Sequence, residues 1–370
     1  MLTSVHPWGF VLVLATASYL AGLVLVPALL RWQIIDNPNP RSSHARPTVR
    51  GGGIGMVFVV LLATWEVSGP SPASVSWCIL ASTSLIAAVS FCDDIKSVGA
   101  ATKFATHSVA AVAALVMLKV CGLGLIVDSG GFPWPAVALV WFLVFLWIVG
   151  YTNAFNFMDG INGLAAGQAV VTGFGMALVG GLALHGYDST PVLCSVAVAS
   201  AALGFLPHNF PQARMFMGDV GSAPLGFCLA ALALWLAMDA GAWLLIPLVL
   251  LHANFVLDAG ITLFRRIFRG ERWYKPHREH FYQRLIRSGK SHPFVTGLEM
   301  VLQGMVLGLM VIYVYATVPV RVGLIVLVIL MWLAFFAYCE RLFRRTNHFC
   351  RSPRVPSHAG AQEHAWSKVI

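Results

Sequence analysis

The sequence predicts an all-α integral membrane protein of about eleven transmembrane helices, with its polar loops gathered on one face. Three observations predict this class. Of 370 residues, 58% are hydrophobic and 11% charged, where a soluble domain carries about 25% charged residues. Apolar runs, each long enough for ~30 Å of hydrocarbon, recur along nearly the whole chain. When the intervening loops are numbered alternately, 22 of the 24 Lys and Arg residues fall in one set.

Taken in order, the apolar runs lie near residues 10–30, 53–67, 76–92, 104–121, 134–150, 163–184, 191–206, 223–238, 242–264, 294–316 and 319–339. The first is preceded by no basic segment and followed by no convincing small-residue cleavage site, so it reads as a retained span. The second and seventh are short and the fifth carries Pro135, which leaves ten as the alternative count. At the head of the sixth, Gly163 and Gly167 stand four residues apart, a spacing that lets a neighbouring helix approach closely. Residues 1–346 read as one polytopic membrane domain, and 347–370, rich in Arg, Pro, Ser and His, as a disordered cytoplasmic tail.

The basic set of loops comprises 31–52, 93–103, 151–162, 207–222, 265–293 and the tail from 340; only Lys119 and Arg321 lie in the other set. Lys and Arg concentrate in cytoplasmic loops, so the N-terminus is expected outside and the C-terminus in the cytoplasm, which requires an odd number of helices. The formal net charge of +9 then follows from topology, and no nucleic-acid partner is expected. Seven cysteines sit singly, mostly inside apolar runs and with no C-x-x-C pair, and read as small core residues.

Polar groups able to do chemistry gather on the same face. Asp93, Asp94, Asp159 and Asp219 all lie in loops assigned to the cytoplasm by Lys and Arg alone, so they can meet. F-C-D-D-I-K-S, from Phe91, closes the third run with two adjacent carboxylates. Alone, such a pair is a charged helix end. Beside other carboxylates it suits a hard cation shared with substrate phosphates, or a base, because a close like charge raises one of the two pKa values. N-A-F-N-F-M-D-G-I-N-G, from Asn153, spaces Asn153, Asn156 and Asp159 by three, along one face of a helical turn, with Asn162 just beyond. Gly160 and Gly163 let the backbone approach a ligand there, and so many polar groups are costly in so apolar a chain unless used. F-M-G-D-V-G-S, from Phe216, sets Asp219 between glycines ahead of Ser222, which suits a metal ligand with backbone N–H groups open to phosphate.

H-R-E-H-F-Y-Q-R-L, from His277, lies in the most basic loop. The stretch from Arg265 to Arg272 reads as an anchor on anionic membrane lipid. His277, Arg278 and His280 are candidates to meet a diphosphate, and the histidines to carry protons; zinc lacks a third ligand at useful spacing. N-P-R-S-S-H-A-R-P-T-V-R-G-G-G, from Asn39, brings Arg41, His44, Arg46 and Arg50 beside three glycines and suits anion handling, without Walker spacing. Lys103 stands at the mouth of the fourth run, where interfacial snorkelling is the plainer alternative. Asn254 and Asp258 share a face of the ninth run, and a membrane-embedded carboxylate is functional by default.

In this order the motifs resemble those of the polyprenyl-phosphate N-acetylhexosamine-1-phosphate transferase family (glycosyltransferase family 4). That family includes enzymes that begin O-antigen, enterobacterial common antigen and teichoic acid synthesis and, more distantly, the peptidoglycan lipid I translocase. The resemblance runs from about Asp36 to Leu285. It implies that Asp93 and Asp94 match a catalytic pair, that Lys103 lies near the lipid phosphate, and that Asn153, Asn156 and Asp159 form a nucleotide- and metal-binding segment. It further implies that Asp219, helped by Asp94, holds Mg²⁺, with Mn²⁺ as the alternative, and that His280 is one histidine of an H-x-H-H block. Two places depart from the pattern: Asn162 stands where many members have a second Asp, and Tyr282 and Gln283 replace the last two histidines. The H-R-x-H-x-Y-Q form is similar to a branch that initiates lipopolysaccharide O-antigen chains, sometimes with 6-deoxy-N-acetyl sugars.

The resemblance thus implies a multi-pass catalytic domain in the bacterial inner membrane, with its active site in the cytoplasm. It would transfer an N-acetylhexosamine 1-phosphate from a UDP-N-acetyl sugar to undecaprenyl phosphate and release UMP. Direct attack and a covalent aspartyl intermediate both stay open, as does homo-oligomerisation. The rival class is a secondary transporter of an organic anion, suggested by the helix number and the embedded Asp258. Transporter sites sit near the bilayer midplane in broken helices, whereas most carboxylates here lie at one face and no inverted repeat is apparent.

Overall fold

The computed structural model describes residues 7–38, 47–69, 74–121, 131–272 and 277–351, with side chains as far as Thr346. Arg41, His44 and Arg46 lie outside the described residues, as does the tail beyond Arg351. In chain order the elements are α1 (Pro7–Arg31), β1 (Ile35–Asp36), β2 (Thr48–Val49), α2 (Gly53–Val67), α3 (Val75–Ile95), α4 (Ala100–Val120), α5 (Trp134–Met158), α6 (Leu164–Leu184) and α7 (Thr190–Asn209). There follow α8 (Asp219–Ala240), α9 (Leu245–Leu250), α10 (Ala253–Phe268), α11 (Phe281–Arg287), α12 (His292–Tyr315) and α13 (Val318–Arg351).

Every predicted run is helical, but eleven full spans is too generous a count. Among the described residues, nine helices are long and apolar enough to cross a membrane; α9 and α10 make a tenth only if a 73° bend is allowed within it. The other predicted run, α2, is an apolar helix of 15 residues. Pro135 does not interrupt α5, because it sits in the first turn, where no helical N–H is needed. That helix runs on past residue 150 to Met158, since Tyr151, Thr152 and Asn153 end the apolar run without ending the backbone hydrogen bonds.

At the centre stands α8. Its residues are small or apolar on every side, the pattern of a helix enclosed all round, and Val220 to Ala237 are continuously buried. Around it pack α3 and α5, then α2, α6 and α7, with α1 lying on α7 and α12 on α6. Outer helices turn Leu12, Val24, Val112, Leu139 and Leu330 outward, as lipid-facing surfaces do. The heads of α2 and α8 touch backbone to backbone: a Cβ on Gly53 would lie 2.5 Å from the Gly221 Cα.

The bend between α9 and α10 frees backbone carbonyls that an apolar interior cannot hydrate. Side chains satisfy them. The Leu251 carbonyl accepts from Gln168 Nε2 at 3.2 Å and Thr172 Oγ1 at 3.1 Å, both on α6, and from Gln303 Nε2 on α12. Asn254 Nδ2, one turn into the new direction, donates to Glu299 Oε2 at 2.9 Å. At the head end of α8, β1 and β2 form a two-stranded antiparallel ribbon, and Val49 bridges to Met215. Phe216 N donates to Val49 O, Gly52 N to Phe216 O, and Gly53 N to Met217 O. This zip lays the segment before α2 along the segment before α8.

Candidate active site

Four chain segments converge at the head of α8. Asp94, in the last turn of α3, has a side chain wholly removed from the surface. Its carboxylate accepts the backbone N–H of Asp219 at 3.1 Å and of Val220 at 3.0 Å, so it caps α8 and meets the positive end of that helix. Asp93, its neighbour, accepts from Val98 N at 2.6 Å and from Lys103 Nζ at 3.0 Å. The same Lys103 nitrogen reaches Asp219 Oδ2 at 3.0 Å. On the other flank, Arg50 donates from Nε to Asp94 Oδ1 at 2.7 Å and from Nη2 to Asp219 Oδ1 at 3.0 Å. Asp219 therefore offers one oxygen to each of two cations.

Glycine is required beside it. Gly218 has φ +74°, and a Cβ there would stand 2.6 Å from Asp94 Oδ2 and 2.9 Å from Gly51 N. Asn156, near the end of α5, donates to Ser222 Oγ at 2.9 Å, and Ser222 donates back to Gly218 O at 3.0 Å. Asn153 donates to Val149 O at 2.7 Å and lies against buried His107, one turn beyond Lys103 on α4.

Charge in this cluster is unbalanced. Burial opposes the positive charge of Arg50, yet attraction to Asp94, Asp219 and Asp36 outweighs it and raises the guanidinium pKa. Asp159, which caps the end of α5, is pushed up to about 7 by burial and then by the negative charges of Asp219 and Asp94, against relief from Arg50. Asp93, Asp94 and Asp219 share two cations, which leaves room for more positive charge. Among the described residues, no group of three or more His, Cys, Asp or Glu forms a ready-made metal cage. Mg²⁺ does not ask for one: it takes one or two carboxylates and completes its shell with water and phosphate oxygens. Asp219, with the Asp93/Asp94 pair beside it, fits such a shared ion.

A second arm comes from the basic loop. Asp258, on α10, accepts Phe281 N at 3.1 and 2.9 Å, Tyr282 N at 3.3 Å, His280 Nδ1 at 2.9 Å and Thr262 Oγ1 at 3.3 Å. It thus caps α11 and holds the His280 ring, whose side chain also accepts the backbone N–H of Gln283 in a capping box. The His277 ring lies tilted 4.9 Å from that of His280, and burial, with His280 and Arg266 nearby, lowers its pKa to about 4, so it is neutral at physiological pH in the free protein. The carbonyl of Arg278 accepts from Arg287. Tyr282 donates from its hydroxyl to Phe157 O at 3.1 Å and packs on Gly160, which ties this arm to the Asp159 turn.

Of the residues singled out in the sequence, Asp93, Asp94, Lys103 and Asp219 form one bonded cluster, with Asn156 and Asp159 at its edge. His280 and His277 sit on the second arm. Asn162 is engaged elsewhere: it donates to Pro211 O at 3.1 Å, and its Oδ1 lies 3.2 Å from His292 Nδ1. Arg50 was legible only as one cation among four in its loop, and its bridging position depends on the long-range pairing of residues 49 and 215. His107 carried a usable signal, its i, i+4 spacing from Lys103.

The bundle and its charged cluster define an integral membrane protein that presents mixed carboxylate and cationic groups at one end of a helix core. The family model for glycosyl transferase family 4 matches residues 76–237, which run from α3 into α8 and contain Asp93, Asp94, Lys103 and Asp219. The chain is 34% identical over 310 residues to the decaprenyl-phosphate N-acetylglucosaminephosphotransferase of Mycolicibacterium smegmatis, covering 75% of each. It is 31% identical over 285 residues to the probable undecaprenyl-phosphate N-acetylglucosaminyl 1-phosphate transferase of Bacillus subtilis, covering 74% of this chain and 77% of that one. A phospho-N-acetylmuramoyl-pentapeptide-transferase of a Synechococcus species is 31% identical over 321 residues, 79% of this chain and 88% of the relative. The chain belongs to glycosyl transferase family 4.

Proposed function

We propose that the protein transfers an N-acetylhexosamine 1-phosphate, GlcNAc or a 6-deoxy-N-acetyl sugar, from its UDP-sugar to undecaprenyl phosphate, releasing UMP as the first step of O-antigen or a related envelope glycan. The observation that carries this reading is the bonded chain Asp93–Lys103–Asp219–Arg50–Asp94 at the head of an enclosed helix. Carboxylates for a hard cation and cations for phosphates stand there within one hydrogen bond of each other. The names of the relatives above, all phosphosugar transferases, support the same chemistry. The Lys and Arg distribution supports a cytoplasmic site in the bacterial inner membrane, with the N-terminus periplasmic.

In this mechanism Asp219, with Asp94 beside it, would hold Mg²⁺, and the ion would supply Lewis-acid charge stabilisation to the donor's diphosphate. Asp93, oriented by Val98 N and Lys103, positions the lipid phosphate and takes its proton if it arrives protonated. A lipid phosphate oxygen then forms a bond to the sugar-bearing phosphorus as the bond from that phosphorus to the bridging oxygen breaks, and UMP departs. Lys103 steadies the charge that develops on the transferring group. His280, held by Asp258, would meet the leaving phosphate through its ring. Asn153, Asn156 and Asp159, with His277 and Arg278, would contact the nucleotide sugar. An anion transporter loses its specific support, because Asp258, the embedded carboxylate that suggested it, serves as a helix cap.

The test is to incubate the purified protein with undecaprenyl phosphate, Mg²⁺ and a panel of UDP-N-acetyl sugars and identify the released nucleotide. UMP is expected, and Asp219→Asn should lower its release by about 10²–10³-fold. Release of UDP would mean ordinary glycosyl transfer, and undiminished Mg²⁺-dependent transfer by Asp219→Asn would remove Asp219 from the mechanism.

A further inference from the structure

We infer that Arg50 is a displaceable counter-ion that couples divalent-cation binding at Asp219 to capture of the donor's diphosphate, an inference that rests on the function proposed above. The guanidinium spans two carboxylates of unequal firmness. Asp94 is fixed, with no exposed side-chain surface and two backbone N–H bonds from the head of α8. Asp219 is the looser partner: its side chain is 16% exposed, and it is shared with Lys103. Arg50 Nη1 donates to no described residue, and the Arg50 side chain is 33% exposed. Its main chain is held in place, with Arg50 N donating to Ile34 O at 3.1 Å and Val49 and Gly52 zipped onto Phe216.

A divalent cation that takes Asp219 Oδ1 must displace Nη2, since two positive groups cannot approach one oxygen without strong repulsion. The Nε bond to Asp94 survives that exchange and acts as a pivot. Nη1 and Nη2 are then both open, side by side, in the planar fork that suits a phosphate group. Without the cation the fork is spent on Asp219; with it, the fork faces the diphosphate. Cation and diphosphate must therefore each raise the other's affinity by the same factor. Lys103, a point charge with three rotatable donors, cannot be switched by geometry in this way.

The experiment uses the full chain in lipid nanodiscs, with Mn²⁺ binding read by electron paramagnetic resonance and UDP binding by calorimetry with and without Mn²⁺. UDP is the part common to every candidate donor. In the wild type, Mn²⁺ should tighten UDP binding by about tenfold or more. Arg50→Gln should bind Mn²⁺ several-fold more tightly in the absence of nucleotide, bind UDP on the order of tenfold more weakly in its presence, and lose most of the coupling. Arg50→Lys, which keeps the charge without the fork, should hold Mn²⁺ as the wild type does and still lose the coupling, and it carries the test if the Gln variant does not fold. Equal weakening of Mn²⁺ and UDP binding, or wild-type coupling in either variant while the wild type still releases UMP, would overturn this inference alone. A wild type that binds Mn²⁺ yet neither binds UDP nor releases UMP would overturn the proposed function and this inference with it.

Discussion

Replacing Asp258 by Asn should disable the His280 arm while leaving the carboxylate cluster intact. Asp258 accepts from four donors at the head of α11 and on α10: Phe281 N, Tyr282 N, His280 Nδ1 and Thr262 Oγ1. Asn keeps one acceptor oxygen and turns the other atom into an N–H, which then faces N–H groups. Two buried donors would lose their acceptor, at about 1–3 kcal/mol each, or roughly 2–6 kcal/mol in all. That is a large share of a typical 5–15 kcal/mol, but it falls on the attachment of α11 rather than on the core around α8. The ring of His280 would lose its carboxylate partner, and its orientation and protonation would change with it. Turnover by UMP release should fall by about 10²-fold, equivalent to about 2.7 kcal/mol. The decisive assay is a double-mutant cycle. In a His280→Gln background, Asp258→Asn should cost less than about threefold more, because the residues act as one unit. Full activity in the single variant, or effects that multiply independently, would refute the positioning role.

Two further outcomes follow from the same geometry. Asp159 has its pKa raised from 3.8 to about 7 in the fold, so its contribution to stability is complete below about pH 4 and is lost as pH rises through about 7. The melting temperature of the ligand-free protein should carry that downward slope, and Asp159→Asn should flatten it; an unchanged slope would show that Asp159 ionises freely. Gly218→Ala forces a Cβ onto Asp94 Oδ2 at a φ of +74°, so it should destabilise the head of α8 by about 2 kcal/mol or more and reduce UMP release. A melting curve matching the wild type would mean that the loop can shift aside.

Length and hydropathy were enough to mark the apolar runs, though not the short α11, because an apolar run in a bilayer has only one way to satisfy its backbone. Sidedness of Lys and Arg grouped Asp93, Asp94 and Asp219 before any contact was known. What sequence could not carry was range. Arg50 reaches Asp219 only because residues 49 and 215 pair across nearly half of the chain, and nothing local in V-R-G-G-G announces that partner. The bend after Leu250 was equally hidden, since its supports, Gln168, Thr172 and Gln303, come from two other helices. Asn162 illustrates the converse: a polar residue inside a ligand-binding pattern whose side chain is taken up with Pro211 and His292. Asp258 was marked as functional for lying within an apolar run; what it holds, a histidine and a helix end, needed the bend to become visible.

Enclosure of α8 has a mechanical consequence. No part of the Val220 to Ala237 stretch meets the surroundings, so a bilayer that thickens, thins or changes its lateral pressure has no direct grip on Asp219. The broken segment does offer one: α10 turns Leu263, Phe264, Ile267 and Phe268 outward and carries Asp258 on its inner side. Lipid would therefore bear on the helix that holds the histidine and not on the core helix that carries Asp219.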